Sequence, residues 1–309
     1  MIGPILLALV PIALLIGLGA LLRRAAFVSE AFWPQAERLG YYVLLPALFI
    51  HGLGTARLDG VPVAALAGVL VVSTLAVAAI LLAARPHLGF DGAAFTSVFQ
   101  GGVRFNNYVG VSAAAGLFGA QGIALAAVAN AAIVPTVNVL CVLVFARFGA
   151  GGRLTGRAVL RQLALNPLLV ACAIGIGLQA AGLGLPPGLE PMLKALGQAS
   201  LPLGLLCVGA ALEFGAARRW ARPVAVASAA KFVLMPLATL LACRALDLHG
   251  PAAATALLFQ ALPTASSSYI LARQLGGDAP LMAGITAAQT VLAGAAIPLV
   301  LMGLLGLAA

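Results

Sequence analysis

Long apolar runs impose the first constraint on this chain. From Pro4 to Leu22, and repeatedly over the 309 residues, stretches of apolar side chains follow one another with few charges inside them. A helix needs about 20 such residues to cross the hydrocarbon core of a bilayer. A membrane β-strand would instead show about 10 residues of alternating character. Composition agrees, with 63% of residues hydrophobic, 8% charged and a mean hydropathy of +1.12. Soluble domains carry roughly 25% charged residues, so a water-facing surface is beyond this chain. Disorder needs low hydrophobicity and high charge, and is excluded too. Membrane helices tolerate the 36 Gly and 18 Pro, which soluble helices would not. The expected fold class is an all-α polytopic membrane protein.

The net charge of +9 is scattered between apolar runs, which gives no basic footprint for nucleic acid. Cys141, Cys172, Cys207 and Cys243 all lie inside apolar runs with no CxxC pair. Neither a disulfide framework nor a metal site is expected from them. No basic residue precedes the first run, whereas Arg23 and Arg24 follow it. A cleaved signal peptide has its charge in front, so the first run reads as a retained span.

Ten spans are expected, near 4–22, 39–56, 61–84, 92–117, 121–146, 165–183, 193–213, 223–246, 252–274 and 279–306. Loops after odd-numbered spans hold Arg23, Arg24, Arg38, Arg85, Arg147, Arg153, Arg157, Arg161, Arg218, Arg219, Arg222 and Arg273. Loops after even-numbered spans hold only Arg57, Lys194 and Arg244. The positive-inside rule then puts the odd loops in the cytoplasm and both termini on the outer side. The expected membrane is a cell inner (plasma) membrane, crossed many times. The chain divides into a first five-helix repeat (1–148), a basic cytoplasmic linker (149–164) and a second five-helix repeat (165–309).

The halves resemble each other. Phe99-Gln100 precedes Arg104-Phe105-Asn106-Asn107-Tyr108 in span 4, and Phe259-Gln260 precedes Pro263 to Tyr269 in span 9. Pro135 and Pro298 fall late in spans 5 and 10, and Pro46 and Pro202 fall mid-way in spans 2 and 7. An odd number of spans per half inverts the second half in the membrane, the inverted-repeat design of many secondary transporters. Such folds bind substrate near the midplane, between broken helices. Pro263 removes a backbone donor and breaks span 9. Gly101, Gly102, Arg104, Asn106 and Asn107 mark the expected break in span 4. Helix N-termini freed there attract anions.

These residues also carry a resemblance. The segments Tyr41 to His51, Arg104 to Gly110, Asn166-Pro167-Leu168, Lys231 to Pro236 and Ala261 to Asp278 resemble the auxin efflux carrier family, which holds bacterial permeases and the plant PIN carriers. The resemblance covers almost the whole chain. It implies ten helices in a 5+5 inverted repeat, with broken helices 4 and 9 crossing at the substrate. It implies a scaffold of spans 1, 2, 6 and 7, and a transport part of spans 3–5 and 8–10. It also implies a homodimer and small organic anions as substrates, malonate- or malate-like among bacterial relatives. Asn106 falls on the family's crossover asparagine and Pro263 on its second crossover proline. The plant members' proline before the asparagine is replaced here by Phe105, and their long cytoplasmic loop is missing.

Arg104 is the sharpest single signal. A mid-span charge is costly and functional by default, and a guanidinium forks onto a carboxylate. A structural pair with a broken-helix carbonyl is the alternative. Asn106 and Asn107 suit either substrate or an N-cap. Thr264, Ser266, Ser267 and Ser268 suit substrate contact or close helix packing. With Pro263, these form the expected substrate-binding set: Arg104, Asn106, Asn107, Pro263, Thr264, Ser266 and Ser267. Lys231, His51, Gln100, Gln260, Asn130 and Gln289 are expected in coupling or support, and Asn130, Asn138 and Gln289 suit interhelical hydrogen bonds. The acidic residues near spans, such as Asp91, Glu190, Glu213 and Asp278, lie at or near span ends, so H+ or Na+ coupling, if present, has no carboxylate site deep in a span. No cofactor and no metal are expected. The three histidines sit at span ends, and neither GxSxG nor HExxH occurs, which excludes an intramembrane enzyme. The function expected is secondary transport of small mono- or dicarboxylates across a lipid bilayer, by movement of the transport part against the scaffold. An anion channel or membrane sensor of the same fold is the alternative.

Overall fold

The computed structural model describes residues 2–55, 61–150, 156–212, 220–265 and 267–308. Among these the chain is helical, with no strand. In chain order the helices are α1 (Ile2–Arg24), α2 (Phe32–Leu39), α3 (Leu45–Gly54), α4 (Val63–Leu88), α5 (Gly92–Val103), α6 (Asn107–Phe148), α7 (Gly156–Ala164), α8 (Pro167–Ala180) and α9 (Leu189–Ala210). They continue with α10 (Ala221–Ala229), α11 (Met235–Ala245), α12 (Gly250–Gln260), α13 (Ser267–Leu275) and α14 (Ala279–Ala308). Five stretches are long and apolar enough to cross a membrane: Val63–Leu88, Gly92–Phe148, Leu189–Ala210, Ala221–Ala245 and Ala279–Gly303.

Two π-helical turns, Gly40–Leu44 and Ala230–Leu234, join α2 to α3 and α10 to α11. Their sequences share a pattern, Tyr41 to Pro46 against Lys231 to Pro236. In each, a proline follows within two residues of the π turn. Proline donates no backbone hydrogen bond, and a π-bulge reroutes the ladder there.

Several expected boundaries move. The helix leading into the second expected span starts at Phe32, upstream of residue 39, and the expected linker contains α7. The break in the fourth span is shorter than expected. Gly101 and Gly102 are helical, and only 104–106 are extended. Those glycines serve packing instead. A Cβ at Gly101 would lie 2.7 Å from Ile285, and one at Gly102 would lie 2.7 Å from Leu81. α6 contains a second interruption at Gly119, whose φ of 58° and ψ of −134° suit only a residue without a Cβ.

The helices pack in two groups. α1, α3, α8 and α9 pack on one another, with α2 on α9. α4, α5, α6, α10, α11, α12 and α14 form the other group, and α6 also touches α1, α3, α8 and α9. Close approach is sharpest between α1 and α9, where Gly19 faces the backbone of Leu206 and Gly209 faces that of Ile16. The buried core runs through both groups and is built on Phe49, Phe95, Phe99, Phe145 and Phe259.

Candidate functional site

α5 starts on a side-chain cap, Asp91 accepting from the Ala94 N–H at 2.7 Å. It ends at Val103, and Arg104 turns extended with φ −75° and ψ 159°. The next helix starts at once because Asn106 caps it. Its Oδ1 accepts from the N–H groups of Tyr108 at 3.0 Å and Val109 at 3.2 Å. α12 ends at Gln260, and the chain is non-helical through Pro263 and Thr264 before α13 begins at Ser267.

The two interruptions lie against each other. The Asn106 N–H donates to the Pro263 carbonyl at 2.8 Å. Gln289, on α14, ties both together: its Oε1 accepts from the Thr264 N–H and its Nε2 donates to the Gly101 carbonyl, each at 2.9 Å. Phe105 packs its ring 5.7 Å from that of Phe259, beneath the joined segments. A buried extended backbone must find such partners, because each unpaired group in an apolar surround costs several kcal/mol.

A cavity of about 560 Å³ opens beside this junction. Arg104, Asn106, Asn107 and Ser267 line it from the expected set, together with Tyr41, Tyr42, Tyr108, Asn138 and Asn166. Glu37, Arg38 and Leu165 also line it. The Arg104 guanidinium is half-buried and donates to Asn138 Oδ1 at 3.0 Å and, more distantly, to Ser267 Oγ at 3.5 Å. Its Nε has no partner, and no ion pair forms with it among the described residues. The Asn106 Nδ2 and the Asn107 Oδ1 are also buried without partners.

Other residues of the expected set sit elsewhere. Pro263 and Thr264 are buried at the junction, and Thr264 Oγ1 lies 3.2 Å from Ser268 Oγ. Ser266 lies outside the described residues. Gln260 donates to Leu70 O at 3.1 Å and to Ser73 Oγ and Thr74 Oγ1 at 2.9 Å, binding α12 to α4. Gln100 Nε2 points to Ser268 O at 3.4 Å. Asn130 donates back to Ala126 O at 2.8 Å on its own helix. His51 is half-buried on α3, and Lys231 is fully buried in the second π turn. None of the described residues among these lines the cavity.

Among the cavity residues absent from the expected set are Tyr41, Tyr108, Asn138 and Asn166. Asn166 caps α8 as Asn106 caps α6, its Oδ1 accepting from Leu168 N–H at 3.0 Å and Leu169 N–H at 3.2 Å. Its Nδ2 reaches Tyr41 Oη at 3.4 Å. The Asn-Pro pair at 166–167 was the available signal. For Asn138, only its isolation as an amide in an apolar run pointed to a partner, and the partner's identity depends on how α6 lies beside the break.

Residues 152–301 match a family model described as membrane transport protein. A protein of Rhizobium meliloti (strain 1021) described as "Putative malonate transporter" is 27% identical over 169 residues, covering 50% of this chain and 53% of that protein. The chain thus spans about half the length of the curated relative it matches.

Proposed function

We propose that this chain, which matches a membrane transport family model over residues 152–301 and resembles the auxin efflux carriers, is a secondary transporter of small organic anions. The substrates are mono- or dicarboxylates of the size of malonate or malate. One observation carries the reading. Arg104 lines a 560 Å³ cavity and has only neutral hydrogen-bond partners, Asn138, Ser267 and Cys141. A half-buried guanidinium without a counter-charge lacks the carboxylate that would offset its desolvation. A substrate carboxylate supplies one, and the fork geometry selects it. Buried polar atoms of Asn106 and Asn107 without partners add hydrogen-bonding capacity on the same wall.

In this reading the chain forms ten spans as a 5+5 inverted repeat. α5 with the start of α6, and α12 with α13, are the two broken helices. α1 to α3, α8 and α9 are the scaffold, and the other packed group moves against it. The cavity lining includes Arg38 and Leu165, which adjoin in sequence the basic loops assigned to the cytoplasm. By the positive-inside rule those loops face the cytoplasm, and in this reading the cavity opens inward with both termini outside. A homodimer in a cell inner membrane completes the proposal. The relative's name supports malonate as the first acid to try.

The test is counterflow in proteoliposomes. Labelled malonate is trapped against a panel of unlabelled mono- and dicarboxylates. Saturable exchange competed by a subset of acids supports a carrier. Flux without counterflow points to a channel, and no flux for any acid overturns the anion reading.

A further inference from the structure

Lys231 has no part in the anion cavity. It is 0% exposed, its Nζ has no hydrogen-bond partner, and no carboxylate pairs with it among the described residues. Burying an unpaired ammonium costs several kcal/mol, and a neutral amine in the same place costs far less. An ionisable side chain at such a position is a functional site by default. It lies in the π turn Ala230–Leu234, the type of helix defect that recurs at functional sites.

Its surroundings are equally specific. α5 packs on α10 and on the π turn. At the contact, a Cβ on Gly101 would lie 3.1 Å from Ala227 Cβ, and one on Gly102 would lie 3.3 Å from Ala230 Cβ. Next to these contacts in sequence are two buried oxygens without partners, Gln100 Oε1 and Ser228 Oγ. One orphan donor and two orphan acceptors therefore lie on elements that touch. No other ionisable group competes near the centre of this packing. α5 and α14 carry none. α4 carries only Arg85 and His87 in its last turn, α10 only Arg222 in its first, and α11 only Cys243 and Arg244 near its end.

We propose that Lys231 is the proton-binding site of the carrier, neutral in one state of the cycle and protonated in another, so that anion and proton move together. This rests on the anion reading above. A proton from water adds to the Nζ lone pair, and the resulting ammonium turns to the unpartnered Gln100 Oε1 and Ser228 Oγ, which close to hydrogen-bond distance only in the protonated state. Arg104 lies three residues after Gly101, just past the end of α5, so an anion bound at Arg104 offsets the positive charge felt at Lys231. Attraction of this kind is weakly screened in a low-dielectric interior. By linkage, the proton then favours the anion as much as the anion favours the proton.

Two measurements test this. In proteoliposomes, wild type takes up labelled malonate faster when a pH gradient is imposed, acid on the side of entry. In Lys231→Gln the rates with and without the gradient become equal. A gradient response in Lys231→Gln equal to that of wild type overturns the proposal. The second measurement needs no transport and no variant at 231. The sequence holds two lysines, Lys194 and Lys231. In an Lys194→Arg background, ¹⁵N-lysine labelling gives one side-chain signal in nanodiscs. Interconversion of ammonium and amine signals with pH, shifted by malonate, is the expected result. An ammonium at every pH, or an amine at every pH, overturns it. If wild type moves no acid at all, the anion reading fails, while the Lys231 signal still decides whether this site binds a proton.

Discussion

The backbone N–H of Asn106 donates to the carbonyl of Pro263 at 2.8 Å, joining two helix breaks that lie far apart in sequence. Asn106 has three separate jobs for its polar groups. Its N–H holds the other break, its Oδ1 caps α6, and its Nδ2 is buried without a partner at the cavity wall. Scaffolding and substrate capacity thus meet in one residue, and substitutions separate them.

Asn106→Ala removes the cap and costs about 1 kcal/mol of stability, visible as earlier thermal unfolding in detergent. Asn106→Asp keeps an acceptor for the Tyr108 and Val109 N–H groups. It replaces the Nδ2 donor with negative charge beside the anion. The expected outcome is near-normal unfolding with malonate exchange lost. Normal exchange by Asn106→Asp would leave this residue a cap and nothing more.

Arg104→Ala leaves a folded protein, because the guanidinium bonds only neutral side chains, those of Asn138, Ser267 and Cys141. Loss of a buried charge-assisted partner costs a bound carboxylate about 2–5 kcal/mol, on the order of 30-fold or more in apparent affinity. Arg104→Lys keeps the charge without the fork and falls between the two. Competition curves in counterflow give the ranking, and equal affinities for all three proteins would remove Arg104 from the site.

Gln289→Leu tests the clamp across the junction. It leaves the Thr264 N–H and the Gly101 carbonyl without the partners they have now. Each orphaned group costs about 1–3 kcal/mol. A clear drop in melting temperature is expected, larger than for Asn130→Leu, whose amide donates only within its own helix. Equal melting temperatures for the two variants would assign the clamp no structural weight.

Gly204→Val probes the contact between the two packed groups. A Cβ at Gly204 of α9 would overlap the ring of Tyr108 on α6. The ring must then move out of its place at the cavity wall. Exchange is expected to fall sharply while the protein still inserts, and Tyr108→Ala in the same background is expected to restore part of it. No rescue by the second substitution would locate the defect away from this contact.

Hydropathy alone determined that the chain is a helical membrane protein, because apolar runs of this length have no other solvent. Pro263 marked one break because proline lacks a backbone donor, and Arg104 stood out because a charge in an apolar run needs a reason. The other break was legible only as a region. Gly101 and Gly102 read as part of it, yet both are helical, and their lack of a side chain serves contacts with Leu81, Ala227, Ala230 and Ile285. Periodicity was silent on the cavity. Tyr41, Asn138 and Asn166 come to Arg104 from three distant segments, and pattern along a chain carries no distance across it. The same holds for Gln289, which hydropathy marks as an oddity and which packing makes the clamp between Thr264 and Gly101. Local sequence sets which groups need partners, because unpaired polar groups are costly in an apolar medium. Only the tertiary structure decides which partners they find.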